Sequence, residues 1–349
     1  MSIIELPHKV ADFACPINGL EDMYEWKTGN QLPGYFLMDL SMIGFMYLKN
    51  KKAPVQRMVC WGNGTGRVQH ELLSDILGYQ WTFSEGKSFK TAWKEICASV
   101  DRGIPVILGM LDMFYLPYYP RFYHKMHIPQ HYVLLVGYDN ERGEAYVKDN
   151  GHLNVKTITI DDLRESLNIE MPGQVKKNTF CIVEFGDQIA PLKEIAEKGL
   201  KKKASLFLNP PVGFMGIKGL RHLAKDIMNW PAELFPQQIK ESLTFLVTFT
   251  CSTVPMPPQR LLSYPINHPD THQAIRDRFS KELSELAKEF QHPEWEQASC
   301  EFALSGELIG QLTDAAVDQI LAGTSCMEKM SDLISEIAKH EEKAFQYLR

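Results

Sequence analysis

Between His131 and Asp149 the chain spells out a β-hairpin, and no other stretch narrows the choice of fold as far. His131-Tyr-Val-Leu-Leu-Val-Gly-Tyr is a short apolar run rich in β formers. It runs into the turn cluster Asp139-Asn-Glu-Arg-Gly143 and then into a second strand from Glu144 to Asp149. Val106-Ile-Leu-Gly-Met-Leu reads as another buried strand, while stretches 69–77 and 88–100 carry apolar residues at helical intervals. The first part of the chain is therefore expected to be α+β.

After Gly186 the texture changes. Residues 193–203 are rich in Lys and Glu and read as a short charged linker, and beyond them a helical pattern is broken by Pro-rich loops such as Pro255-Met-Pro-Pro. Ala274, Ile275, Phe279, Leu283, Leu286, Ala287 and Phe290 recur at three- and four-residue steps, as do Met327, Met330, Leu333, Ile334, Ile337 and Ala338. For 349 residues, two domains are expected: an α+β domain over 1–188 and a mainly helical one over 205–349. The second is expected to pack on the first and help wall its binding site.

Composition removes several function classes. The formal net charge is −6 and no basic stripe is interleaved with aromatics, so a nucleic-acid partner is not expected. No apolar run reaches the ~18 residues of a membrane span, and the start lacks the pattern of a signal peptide, so a cytoplasmic protein is expected. The basic run 198–203 reads as a solvated face rather than a dock for an acidic partner. The seven cysteines include no C-x-x-C pair and should be free thiols, with Cys97, Cys181, Cys300 and Cys326 expected to be buried. Gly62-Asn-Gly-Thr-Gly66 lacks the Gly-Lys-Ser/Thr ending of a phosphate loop and reads as a plain turn. Pro129 separates the His124, His127 and His131 set, and no His-Glu-x-x-His is present, so neither a metal nor a cofactor is expected.

Cys15 stands apart from the other cysteines. Pro16 suits the first turn of a helix, which places Cys15 at a helix N-terminus, where the partial positive charge stabilises a thiolate. A nucleophilic thiol needs a base, and the base needs an orienting group. The hairpin returns Asp149 or Asn150 to the neighbourhood of His131 and so supplies both. Each residue also has a plainer reading: Cys15 as a buried small hydrophobe, His131 as a structural histidine, Asp149 as a turn former. Asp112, at the end of a strand, reads either as a pocket residue or as a clamp on the loop that follows. Tyr115, Tyr118, Tyr119 and Tyr123 make that loop unusually aromatic, suited to packing or to lining an acceptor pocket.

The early Cys15, then Gly103-Ile-Pro-Val106, Leu111-Asp-Met-Phe-Tyr-Leu-Pro-Tyr118, His131-Tyr-Val-Leu-Leu-Val-Gly-Tyr-Asp139 and finally Asp149 resemble the papain-like, peptidase C39-like enzymes. Within them the chain is most similar, over about 8–186, to the family named for the butirosin-biosynthesis protein H. The helical remainder resembles the domain of unknown function that follows in that family, although Leu261-Leu-Ser-Tyr-Pro-Ile-Asn-His268 replaces an expected Gly-rich stretch. The resemblance implies a papain-like fold and acyl transfer. Cys15 would take an acyl group from an acyl carrier protein thioester and pass it to a small-molecule amine in natural-product biosynthesis, with His131 as base and Asp149 as its orienter; on the pocket reading of their loop, Asp112, Tyr115 and Tyr118 would meet the substrate. C39-like peptidases also use a glutamine shortly before the cysteine as an oxyanion donor; here no glutamine precedes Cys15, and Val10 stands in that stretch. The alternatives are a hydrolase, whether peptidase or thioesterase, and a non-catalytic binding protein on the same fold.

Overall fold

The computed structural model describes residues 3–10, 15–33, 36–41, 44–53, 55–61, 66–171, 175–187, 189–251, 276–323 and 325–349. The segments Gly62-Asn-Gly-Thr65, Pro255-Met-Pro-Pro and Leu261 to His268, with Ala274 and Ile275, lie outside the described residues. The chain divides into two compact units, Met1–Ser41 with Gly64–Ile195, and Met42–Asn63 with Ala196–Arg349.

Helices α1 (Cys15–Thr28) and α2 (Phe36–Leu40) open the first unit. The hairpin of β1 (Met46–Lys49) and β2 (Arg57–Cys60) then belongs to the second unit, although it lies early in the sequence. Its Tyr47, Val59 and Trp61 are fully buried, which gives a physical reason for the excursion: these side chains are part of the second unit's core. Hydrophobic periodicity gives no sign of it, because a four-residue strand is too short to carry a period.

The first unit resumes with α3 (Gly66–Leu77), β3 (Tyr79–Ser84), α4 (Phe89–Val100), β4 (Val106–Leu111), β5 (His131–Asp139), β6 (Glu144–Asp149), β7 (His152–Thr159), α5 (Ile160–Leu167) and β8 (Phe180–Phe185). Six of these strands form one antiparallel sheet in the order β3-β8-β4-β5-β6-β7. Ser88 caps α4 by accepting from the Thr91 N–H, and Thr159 caps α5 from the Asp162 N–H, as hydroxyl residues do at helix starts. One face of the sheet holds Val106, Leu108, Val133, Leu135, Ala145 and Val147 against Ile96 of α4 and Leu163 of α5. Along the β5–β6 ladder the register slips between Leu135 and Gly137, leaving Val136 as a bulge. The carbonyl of Val136 then accepts the Ile4 N–H at 2.8 Å, which binds the N-terminal segment to the sheet.

The charged stretch read as a linker is instead part of a helix. In α6 (Leu192–Leu208), Ile195, Ala196, Leu200, Ala204 and Phe207 are buried, and this apolar stripe outweighs the lysines between them. Lys203 itself is buried, its ammonium 5.4 Å from the Phe279 ring centroid. The second unit continues with α7 (Gly216–Asp226), α8 (Trp230–Glu233), α9 (Pro236–Cys251) and three long helices, Arg276–Phe290, Pro293–Ala322 and Met327–Tyr347. Among the described residues no helix is long and apolar enough to cross a membrane. Cys97 and Cys181 are buried, but Cys300 is exposed and Cys326 half-buried, because each lies on the outward side of its helix or at a helix start.

Candidate active site

Helix α1 positions Cys15, the candidate nucleophile. Cys15 is its first residue and Pro16 its second, where a missing N–H leaves no intrahelical bond unmade. The helix lies close on the sheet: a Cβ on Gly19 would meet the Leu134 side chain at 3.1 Å, so the small residue permits the approach. This contact brings Cys15 to the start of β5. Its Sγ lies 4.0 Å from the carbonyl oxygen of Gln130, and its side chain is near enough to the ring of His131, the next residue, to act on it electrostatically.

His131 is buried, and its Nε2–H donates to Asp149 Oδ2 at 2.8 Å, leaving Nδ1 for Cys15. Burial alone would lower the His131 pKa. The Asp149 charge and bond, with smaller contributions from Cys15, outweigh it and raise the value to about 10. Burial likewise pushes Asp149 up, but His131 and the bonds from Tyr119 and the Gly151 N–H prevail and hold it down at about 2. At neutral pH the pair is thus an imidazolium and a carboxylate.

The Asp149 carboxylate is fully buried and fully engaged. Besides His131, it accepts from Tyr118 Oη at 3.0 Å, Tyr119 Oη at 2.7 Å and the Gly151 N–H at 3.2 Å. The Gly151 bond is the turn-forming contact expected of Asp-x-Gly, so Asp149 is both turn former and partner of His131. Gly151 is required beside it, since a Cβ there would meet the Tyr119 hydroxyl at 2.6 Å. Burial and the neighbouring Asp149 charge raise both tyrosine pKa values, keeping the hydroxyls protonated as donors. Tyr119 also stands edge-on to the His131 ring at 5.6 Å.

Cys15, His131 and Asp149 are therefore brought together, and Tyr118 joins them through Asp149 rather than through an open pocket. Asp112 is also saturated: Oδ1 accepts the N–H groups of Phe114 and Ile128 at 3.1 and 2.9 Å, and Oδ2 accepts from His127 Nδ1 at 2.6 Å. It clamps its loop. Tyr115 stands against Phe114, His124 and His127, in a stack that also takes in Tyr123 through His124. Val10 is half-exposed. Tyr119 was legible as part of an aromatic loop but not as a partner of Asp149. The turn signature Asp-Asn-Gly was the available clue to where that carboxylate would sit.

A cysteine at the N-terminus of a helix, facing a histidine on an antiparallel sheet whose second nitrogen is held by a carboxylate, defines the papain-like class. Residues 14–150 match the family described as Butirosin biosynthesis protein H, N-terminal. Residues 162–253 match Domain of unknown function (DUF4872). The N-terminal part of the chain thus matches the butirosin-biosynthesis-protein-H family, and the match to the second domain follows it. Among curated proteins none matches it.

Proposed function

We propose that the protein is a cysteine-dependent acyltransferase of antibiotic biosynthesis, with an acyl carrier protein thioester as donor and a small-molecule amine as acceptor. The observation that carries this reading is the His131 ring, held between Asp149 and Cys15 at the end of the hairpin. The Cys15 sulfur attacks the donor carbonyl, the carrier thiolate leaves, and His131 gives it a proton. The acceptor amine then attacks the acyl-enzyme, its proton passes to His131, and the Cys15 thiolate departs. Thioester exchange is nearly balanced in free energy and amide formation is downhill, so the chain's task is to hold the acyl group and exclude water. The family's name, which points to biosynthesis, and the lack of a glutamine before Cys15 favour transfer over peptide hydrolysis.

The test is mass spectrometry of the full chain after incubation with acyl-thioester donors. A mass increase of one acyl group on Cys15, discharged faster by an amine than by water, is the expected result. Discharge by water at an equal rate would make the protein a thioesterase. No adduct with any thioester would leave the non-catalytic reading.

A further inference from the structure

Cys15 opens helix α1, and Asp22, buried on the same helix, lies seven residues on, almost two turns along one stripe. Asp22 Oδ2 accepts from His8 Nδ1 at 2.6 Å. On its far side the His8 ring turns Nε2–H between the carbonyl oxygens of Asp149, at 3.1 Å, and His152, at 3.0 Å. The side chains of His8 and Asp22 are 2% and 1% exposed. A histidine with acceptors at both nitrogens carries both protons. Burial works against that charge, but the Asp22 bond and the two carbonyls outweigh it and raise the His8 pKa. The two carbonyls flank the turn from which the Asp149 side chain reaches His131. The contacts close a ring: Cys15 to His131, to Asp149, through its turn to His8, to Asp22, and along α1 back to Cys15.

We propose that His8 is a positioning residue, fastening the turn that carries Asp149 to the helix that carries Cys15 and so setting the approach of the His131 ring to the thiol. The proposal rests on the reading of Cys15, His131 and Asp149 as the reacting unit. The N-terminal segment does not depend on His8 for its attachment. Ile4 N–H bonds to Val136 O at 2.8 Å, and Asn18 Nδ2 donates to Lys9 O at 3.1 Å. Loss of the imidazole should therefore loosen the turn and leave the segment in place. The other ionisable groups around this contact are Glu21, with Lys9 Nζ 3.5 Å away, Lys148, whose charge acts on Asp22, and the Asp149 and His152 side chains.

Two measurements on the full chain test this: acylation of Cys15 by an acyl N-acetylcysteamine thioester, and the pH profile of Cys15 alkylation by iodoacetamide. In His8→Ala the acylation rate should fall on the order of 10- to 100-fold, as misplacement of a reacting group does. The donor KM should change little, and the alkylation profile should shift. Asp22→Asn should reproduce the shift, and the double variant should be no worse than the worse single one. An unchanged rate and profile in His8→Ala would overturn the proposal. So would a loss that merely follows the folded fraction, with an unshifted profile. If His8→Ala does not fold, Asp22→Asn decides by the same two readouts, because it removes the charge and keeps the shape. Should wild-type Cys15 accept no acyl group, the acyltransferase reading fails, while the alkylation profiles still decide the role of His8.

Discussion

The bond from His131 Nε2–H to Asp149 Oδ2, 2.8 Å long, decides which ring nitrogen is left for Cys15. With Nε2 occupied, Nδ1 is the nitrogen left to exchange a proton with the sulfur in the proposed mechanism, and the plane of the ring is set by a carboxylate that three further donors hold still. Base and orienter are thus one unit.

Substitutions in that unit should not be additive. Cys15→Ala and His131→Ala should each abolish acyl transfer. Asp149→Ala should lower it about 100-fold, since the orienter tunes the base without reacting. Asn150→Ala should be much milder, because the ring bonds to Asp149. Steady-state rates with a carrier-bound thioester check this, and full activity in Cys15→Ala would end the mechanism.

The same pair should govern stability at both ends of the pH scale. His131 is raised from 6.5 to about 10, so its contribution is complete below 6.5 and is lost as pH climbs toward 10. Asp149 is lowered from 3.8 to about 2, so its contribution is present above 3.8 and is lost as pH falls toward 2. Urea midpoints should be highest between these limits, and Asp149→Asn should flatten the alkaline slope and move the acid one up to the range just below 6.5, where a buried neutral histidine is penalised. In that variant the histidine, buried and without its carboxylate, should titrate below 6.5 by NMR; a value still near 10 would show that Asp149 is not the cause.

How much of this was legible follows from the range of each signal. The hairpin, with apolar runs on either side of a turn cluster, and the Cys-Pro start of α1 are local patterns, and both placed their residues correctly. The bulge at Val136 was not legible, because the slip is set by what the freed carbonyl bonds to, Ile4, more than a hundred residues away. The same distance hid His8, whose partners come from two remote segments, Asp22 on α1 and the turn between Asp149 and His152. In the Lys-rich stretch the charge density masks the apolar stripe of Ile195, Ala196, Leu200, Ala204 and Phe207, whose spacing is that of a helix. Asp112 was legible as a clamp or a pocket residue, and only its three bound donors separate the two.

Glu21, buried on α1 six residues after Cys15, should respond to pH in the opposite sense to Asp149. Burial raises its pKa from 4.5 to about 8, against the nearby Lys9. A carboxyl raised in the folded state costs nothing below 4.5 and becomes a growing burden as pH rises toward 8. Glu21→Gln should therefore match the wild type in stability near pH 4 and exceed it by about 1–3 kcal/mol near pH 8. Urea denaturation at the two pH values measures the difference. A variant less stable than wild type at the higher pH would mean that the Lys9 pairing outweighs burial.

The second unit has its own point of failure at Glu341. This carboxylate is fully buried and gathers Arg276 Nε at 2.6 Å, Arg276 Nη2 at 2.9 Å, Ser305 Oγ at 3.1 Å and, from the β1–β2 hairpin segment, Trp61 Nε1 at 3.0 Å. Arg276 is itself 1% exposed, its guanidinium 5.2 Å from the Phe302 ring centroid and 5.7 Å from that of Phe345. Glu341→Ala would strand that cation away from water, which costs about 3–5 kcal/mol when one partner of a buried pair is lost. Replacing both charges, as in Arg276→Met with Glu341→Leu, removes the stranded cation and leaves only imperfect packing and an unpaired Trp61 indole. The double variant should therefore be more stable than Glu341→Ala alone. Urea midpoints of the full-length variants rank them, and a midpoint for Glu341→Ala equal to wild type would show that the network does not hold the unit together.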